Sequence, residues 1–151
     1  MKELETLLKT NKKIPVPRAA IINIFLSYTW TKDELLNQLK PYDLSIEQFN
    51  VLRILRGQKG EPINLQDIQG RMVNKMSNTT RLVDKLIKKK YVKRTVCKDN
   101  RRKVEIVITE EGLNILQTID PLMNSSETQI TQNLTTEELK QLNHLLTKLR
   151  T

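Results

Sequence analysis

Six polar side chains, Ser77, Asn78, Thr80, Arg81, Lys85 and Lys88, fall within the twelve residues 77–88. Ser77, Asn78, Arg81, Lys85 and Lys88 recur at intervals of three and four, which gathers them on one face of a helix. Hydroxyl, amide and guanidinium groups presented together hydrogen-bond the edges of bases and phosphate oxygens. Lysines beside them neutralise phosphates and release counterions, and Lys75 just upstream adds to that set. Little else in the chain suggests bond-making chemistry. A single Cys97 excludes an internal disulfide and a cysteine zinc cluster, and a single His144 removes most histidine metal sites and histidine-based triads. With no glycine-rich nucleotide loop and no nucleophile–base pair, the chain reads as a non-enzyme that needs no cofactor or metal.

Charge mapping sharpens this reading. The 151 residues carry a formal charge of +9. Residues 44–112 hold sixteen Lys/Arg against eight Asp/Glu, a net of +8, whereas 1–43 is +2 and 113–151 is −1. Within the middle segment, residues 71–103 contain thirteen Lys/Arg and only Asp84 and Asp99, a net of +11. A field so concentrated attracts a polyanion. The competing reading is a solvated basic face, and secondary structure has to decide between them.

The elements that would position these residues are mostly helical. Four glycines and five prolines in 151 residues leave little room for an all-β plan, and 38% hydrophobic content with 4% aromatics implies an aliphatic core. Residues 2–10 read as a short helix broken by Lys12–Pro17, and a long helix is expected from Arg18 to Pro41. The long helix has an apolar surface wider than one small domain covers. Ser45-Ile-Glu-Gln48 is a capping box opening a helix over about 45–57. A loop with a short strand at Ile63 follows, and Asn64 caps a short helix with Leu65, Ile68 and Met72 inward. After a turn at Val73-Asn74, a helix is expected over Lys75–Lys89, with Met76, Thr79, Leu82, Val83, Leu86 and Ile87 as its buried stripe. A short helix, a tight turn and a second helix with a polar outer face make a helix-turn-helix.

Residues 91–96 and 104–108 are rich in β-branched side chains, and Lys98–Lys103 between them has turn residues and four cations. They read as a hairpin with a basic tip, from which Arg101 or Arg102 can enter a narrow minor groove. A helix starting at Thr109-Glu110-Glu111 runs into the 120s, with Pro121 as the site of a kink. A second capping box at Thr135–Glu138 opens the last helix, where Leu139, Leu142, Leu146 and Leu149 form a seam suited to oligomerisation. The first residues, MKELETLLKTNKK, lack the pattern of a secretory signal. The longest apolar stretch, Ala19–Trp30, is interrupted by Asn23 and Ser27 and falls short of the roughly 20 residues of a membrane span. A cytoplasmic protein with no membrane partner is expected.

This order of elements resembles the MarR family of bacterial transcription regulators over essentially the whole chain. Asn78-Thr79-Thr80-Arg81-Leu82-Val83-Asp84-Lys85-Leu86 is similar to that family's recognition helix. Asn100-Arg101-Arg102, followed by Val107-Ile108-Thr109-Glu110-Glu111-Gly112, is similar to its wing and the helix start after it. There are two departures. The family's wing Asp falls on Asn100, with Asp99 one residue earlier, which leaves open whether Arg101 or Arg102 enters the groove. Val73-Asn74 stands where members often have Gly, and Asn tolerates a left-handed backbone there.

The resemblance implies a mainly α fold with a small β-hairpin wing. A single domain 1–151 is expected, with a winged helix-turn-helix lobe 44–112 flanked by dimerisation helices 1–43 and 113–151. It implies a homodimeric, sequence-specific binder of double-stranded DNA on a pseudo-palindromic operator, a repressor or an activator, with repression the preferred reading. The alternative is a winged-helix module that docks protein or RNA without reading an operator. Expected base contacts come from Ser77, Asn78, Thr80 and Arg81, phosphate contacts from Lys75, Lys85 and Lys88, and minor-groove contacts from Arg101 and Arg102. Phe25, Tyr28 and Trp30 serve packing, the preferred reading, or a cleft for a small-molecule effector of unknown identity. Cys97 has Lys93, Arg94 and Lys98 close by to favour a thiolate, yet no second cysteine to resolve it. An ordinary strand residue is therefore preferred over a redox sensor. His144 reads as an interface or surface residue.

Overall fold

The computed structural model describes residues 2–96 and 104–151. Cys97, Arg101, Arg102 and the rest of the hairpin tip lie outside the described residues. Seven α-helices and one two-stranded sheet are described: α1 (Lys2–Leu7), α2 (Val16–Leu39), α3 (Ile46–Arg56), α4 (Leu65–Arg71), α5 (Thr79–Lys88), β1 (Val92–Val96), β2 (Val104–Ile108), α6 (Glu110–Thr131) and α7 (Thr136–Leu149). None of these helices is long and apolar enough to cross a membrane.

The chain divides into two compact units, Met1–Glu34 and Leu35–Thr151. In the first, Leu4, Ile14 and Ala19 form a small core with Ile22 against it. The Glu5 carboxylate accepts the Ile14 N–H at 3.0 Å and holds the segment between α1 and α2. α1 is shorter than expected. α2 starts before Arg18, because Pro17 in a first helical turn forfeits no intrahelical hydrogen bond. α2 leaves Ile21, Phe25, Tyr28 and Trp30 exposed, so the small core of this unit does not account for its aromatic residues.

The second unit is built on capped helices around one core. A 3-10 turn, Lys40–Tyr42, takes up Pro41 after α2 ends. Ser45 and Gln48 form the expected reciprocal cap of α3, and the Asn64 side chain caps α4 by accepting the Asp67 N–H. Phe49, Leu52 and Leu55 of α3, Ile68 of α4, Val83 and Leu86 of α5, Ile106 of β2 and Leu116 and Ile119 of α6 are buried together. β1 and β2 pair antiparallel with Val92 opposite Ile108 and Val96 opposite Val104. Ile63 bridges Ile106 through both backbone hydrogen bonds, so the short strand expected at Ile63 is a single paired residue on the hairpin's edge.

Gly112 ties this unit together. α5 ends in a Schellman arrangement, with Tyr91 N–H donating to the Leu86 carbonyl and Lys90 N–H to Ile87, and Lys90 takes a left-handed φ of 63°. The Tyr91 carbonyl then accepts the Thr109 N–H at 3.0 Å, and the Thr109 hydroxyl donates to the Lys90 carbonyl at 2.6 Å. Thr109 also caps α6 by accepting the Gly112 N–H at 3.1 Å. A Cβ on Gly112 would sit 2.2 Å from the Tyr91 oxygen and 2.7 Å from Ile108 Cγ1. α6 runs on across Pro121 to Thr131, further than expected. The helix can lose one backbone bond there because Leu116, Ile119 and Met123 are buried on either side. Arg56 of α3 pairs with Asp120 beside that proline through its two terminal guanidinium nitrogens.

The cap at Thr135 and Glu138 opens α7, which has no buried residue. Leu142, Leu145 and Leu149 are exposed, and Leu139 and Leu146 are half-buried. Among the described residues of this unit the leucine seam has no cover. His144 is exposed on the same helix.

Gly112→Ala is expected to destabilise the protein by about 2–3 kcal/mol, because a backbone carbonyl cannot yield as a side chain does; urea unfolding measures it. Hydrogen bonds from the Thr135 backbone and hydroxyl hold the Glu138 carboxyl below its ordinary range. Its stabilising effect on α7 is therefore complete above the ordinary glutamate pKa and fades as pH falls through the lowered folded value. Following the amide resonances of Thr135 and Glu138 through an acid titration checks this, and Glu138→Gln should abolish the step.

Candidate nucleic-acid interface

The outer face of α5 is prepared by the loop before it. The expected helix over Lys75–Lys89 begins instead at Thr79, with Asn78 as its N-cap. The Asn78 Oδ1 accepts the Arg81 N–H at 3.0 Å, which satisfies one orphan donor of the first turn. Residues 73–78 stay outside the helix because side chains claim their backbone groups. Asn50 Oδ1 accepts the Val73 N–H at 3.0 Å, and Asn74 Oδ1 accepts the Met76 N–H at 3.1 Å. Ser77 N–H donates to the Asn74 carbonyl at 3.2 Å. Asn74 thus serves through its side chain in an Asx turn, and its backbone is not left-handed as the missing glycine had suggested.

Gln69 of α4 braces the same loop. Its Nε2 donates to the Lys75 carbonyl at 2.5 Å, while its Oε1 accepts the hydroxyl of buried Thr79. The Lys75 ammonium bends back to the Gly70 carbonyl. The late helix start also overturns the placement of Met76 in the buried stripe: it is exposed, whereas Thr79, Val83 and Leu86 are buried and Leu82 and Ile87 half-buried.

Four of the expected residues, Ser77, Asn78, Arg81 and Lys85, line one shallow depression of about 370 Å³, together with Asn74, Leu82 and Glu47. The side chains of Thr80 and Lys88 are exposed on α5 outside that lining. The Ser77 hydroxyl is buried and has no hydrogen-bond partner among the described residues. Arg81 and Lys85 are exposed and form no ion pair among the described residues, so their charge is available to an incoming anion.

Sequence reasoning missed the acids that border this face. Glu47, in the first turn of α3, lines the depression itself. Asp43 pairs with Lys89, and that hydrogen bond, then the attraction to Lys89 and to Lys85, holds its carboxyl below the ordinary range. Asp84 pairs with Arg94 of β1 and ties the hairpin to the flank of α5. Only their tertiary placement marks them. Gln69 likewise carried no signal beyond being an amide on a short helix.

Comparison with known proteins places this geometry among relatives. A model of the MarR family matches residues 44–104, which contain the depression and both strands up to the start of β2. The chain is 33% identical over 98 residues to the transcriptional regulator SarZ of Staphylococcus haemolyticus, covering 63% of this chain and 65% of that one, just under two thirds of its length. It is 31% identical over 120 residues to the multiple antibiotic resistance protein MarR of Escherichia coli, covering 78% of this chain and 81% of that protein. Among solved structures, a crystal structure of an E. coli MarR mutant complexed with operator DNA superimposes with a TM-score of 0.76. Its sequence identity is 26%, and the match covers 89% of this chain and 94% of the other.

The capping role of Asn78 has its own consequence. Asn78→Ala should lower stability by about 1 kcal/mol and Asn78→Asp should not, since both Asn and Asp cap well. Thermal or urea unfolding of the two variants separates capping from any surface role.

Proposed function

Because the chain belongs to the MarR family of transcriptional regulators, we propose that it binds operator DNA as a homodimer in the cytoplasm and acts as a repressor. The observation that carries this reading is the depression on α5, where Arg81 and Lys85 stand exposed beside Asn78 and Ser77 on a helix anchored along its opposite face. A second helix of a helix-turn-helix enters the major groove with its N-terminal residues toward the bases. Arg81 and Thr80 then face base edges, with Asn78 adding its amide Nδ2 while Oδ1 keeps the cap. Ser77 joins them by rotating its unpaired hydroxyl outward, which relieves the cost of burying it unsatisfied. Lys75, Lys85 and Lys88 neutralise phosphates, and Arg101 and Arg102 belong to the wing's minor-groove contact.

The ends of the chain supply the second half of the proposal. In this reading residues 44–112 form the DNA-binding lobe and 1–43 and 113–151 the dimerisation helices. Support comes from exposed Ile21, Phe25, Tyr28 and Trp30 on α2 and from the uncovered Leu142, Leu145 and Leu149 on α7. A second copy packing on these residues accounts for both sets. Twofold symmetry then sets two recognition helices on half-sites about one helical turn, roughly 10 bp, apart.

Selection of bound duplexes from a random pool, followed by gel shifts at physiological salt, tests this function. A pseudo-palindromic consensus is the expected result. Only weak binding with no consensus would instead favour a module that docks protein or RNA. Arg81→Ala should lose about 1–3 kcal/mol on the selected duplex and relax the preference at one position per half-site.

A further inference from the structure

The two most exposed large hydrophobic residues among those described are Met76, at 92%, and Val73, at 88%, with the next, Val16, at 67%. Both lie in the loop between α4 and α5. An apolar side chain held out in water gains nothing for the fold, and here hydrogen bonds hold the backbone that carries it. The Val73 N–H donates to Asn50 Oδ1, the Met76 N–H to Asn74 Oδ1 and Gln69 Nε2 to the Lys75 carbonyl, which ties down the backbone at both residues. Met76 stands three residues before the first residue of α5, and the next residue, Ser77, lines the depression beside Arg81.

We propose that Met76 and Val73 read thymine methyl groups in the major groove, an inference that rests on the DNA-binding function proposed above. Of the base-edge groups in that groove, the thymine C5-methyl is the one that rewards an apolar contact. The surroundings favour DNA over an apolar protein partner. Residues 68–83 contain Arg71, Lys75 and Arg81 and no acid, and all three cations are exposed. A polyanion therefore meets these apolar side chains in the same encounter that engages the cations. The thioether of Met76 is long and adaptable enough to follow the methyl's position, while branched Val73 is stiff and tolerates less displacement.

The test uses duplexes selected from a random pool by the full-length wild-type protein, with each thymine replaced singly by uracil, which lacks only the methyl. At one or two positions per half-site, uracil should weaken wild-type binding by about fourfold, the loss that corresponds to one buried methyl-sized group. Met76→Ala or Val73→Ala should weaken binding to the unmodified duplex and be indifferent to uracil at the matching position. Because both side chains are exposed, the variants should melt with the wild type. Equal wild-type affinity for every uracil duplex overturns the inference while leaving operator binding in place. So does an unchanged uracil effect in both variants, or a change in self-association with DNA affinity intact, which would assign the loop to contact between copies. Failure of the wild type to select any consensus overturns the DNA-binding reading itself.

Discussion

The carbonyl of Tyr91 is where three parts of the second unit meet. It follows the left-handed Lys90 that ends α5, accepts the first backbone donor after β2, and lies against Gly112 in the first turn of α6. No side chain fits between the Tyr91 carbonyl and Gly112, so the first turn of α6 meets the residue after the α5 cap at backbone contact. Helices joined through flexible side chains can slide; backbones at contact distance cannot. The end of α5 is held there, while buried Val83 and Leu86 anchor the rest of the helix with Arg81 and Lys85 on its outer face. The Arg94–Asp84 pair then fixes the flank of the helix to β1 at a second point.

A surface that binds a polyanion needs cations that stay free, and the arrangement of acids serves that need. Asp43 and Asp84 engage Lys89 and Arg94, residues at the end of α5 and on the hairpin, and leave Arg81 and Lys85 without an ion-pair partner among the described residues. Glu47 enters the depression from α3 and gives it a negative edge. Exposed ion pairs of this kind contribute little to stability. Their effect is to leave Arg81, Lys85 and Lys88 of α5 outside the ion pairs of the described residues.

Much of this was legible from local chemistry. Ser45, Asn64, Thr109 and Thr135 announce helix starts because a cap is a contact between residues three apart, and all four cap as their positions suggest. The β-branched runs 92–96 and 104–108 pair in the expected hairpin. The reading failed at Lys75–Asn78. There the apolar spacing of Met76 continued the stripe of α5, but Asn50 and Gln69 outbid the helix for the backbone of the loop. Asn50 lies 23 residues from Val73 and on another helix, a distance over which periodicity carries no information. Pro121 stays inside α6, as the expected run into the 120s required, with buried neighbours holding both sides of the helix.

What the sequence by itself determined about this protein is the kind of element at each position, the concentration of positive charge on residues 71–103, and the family pattern of a recognition helix before a basic hairpin. These depend on residues close along the chain, where capping, propensity and charge density act. Only the tertiary structure decided which polar residues share one depression, that acids from α3 and the segment before it border the basic face, and that Met76 points into solvent. Those outcomes depend on hydrogen bonds and packing between segments tens of residues apart, and the chain must fold before such groups have neighbours at all.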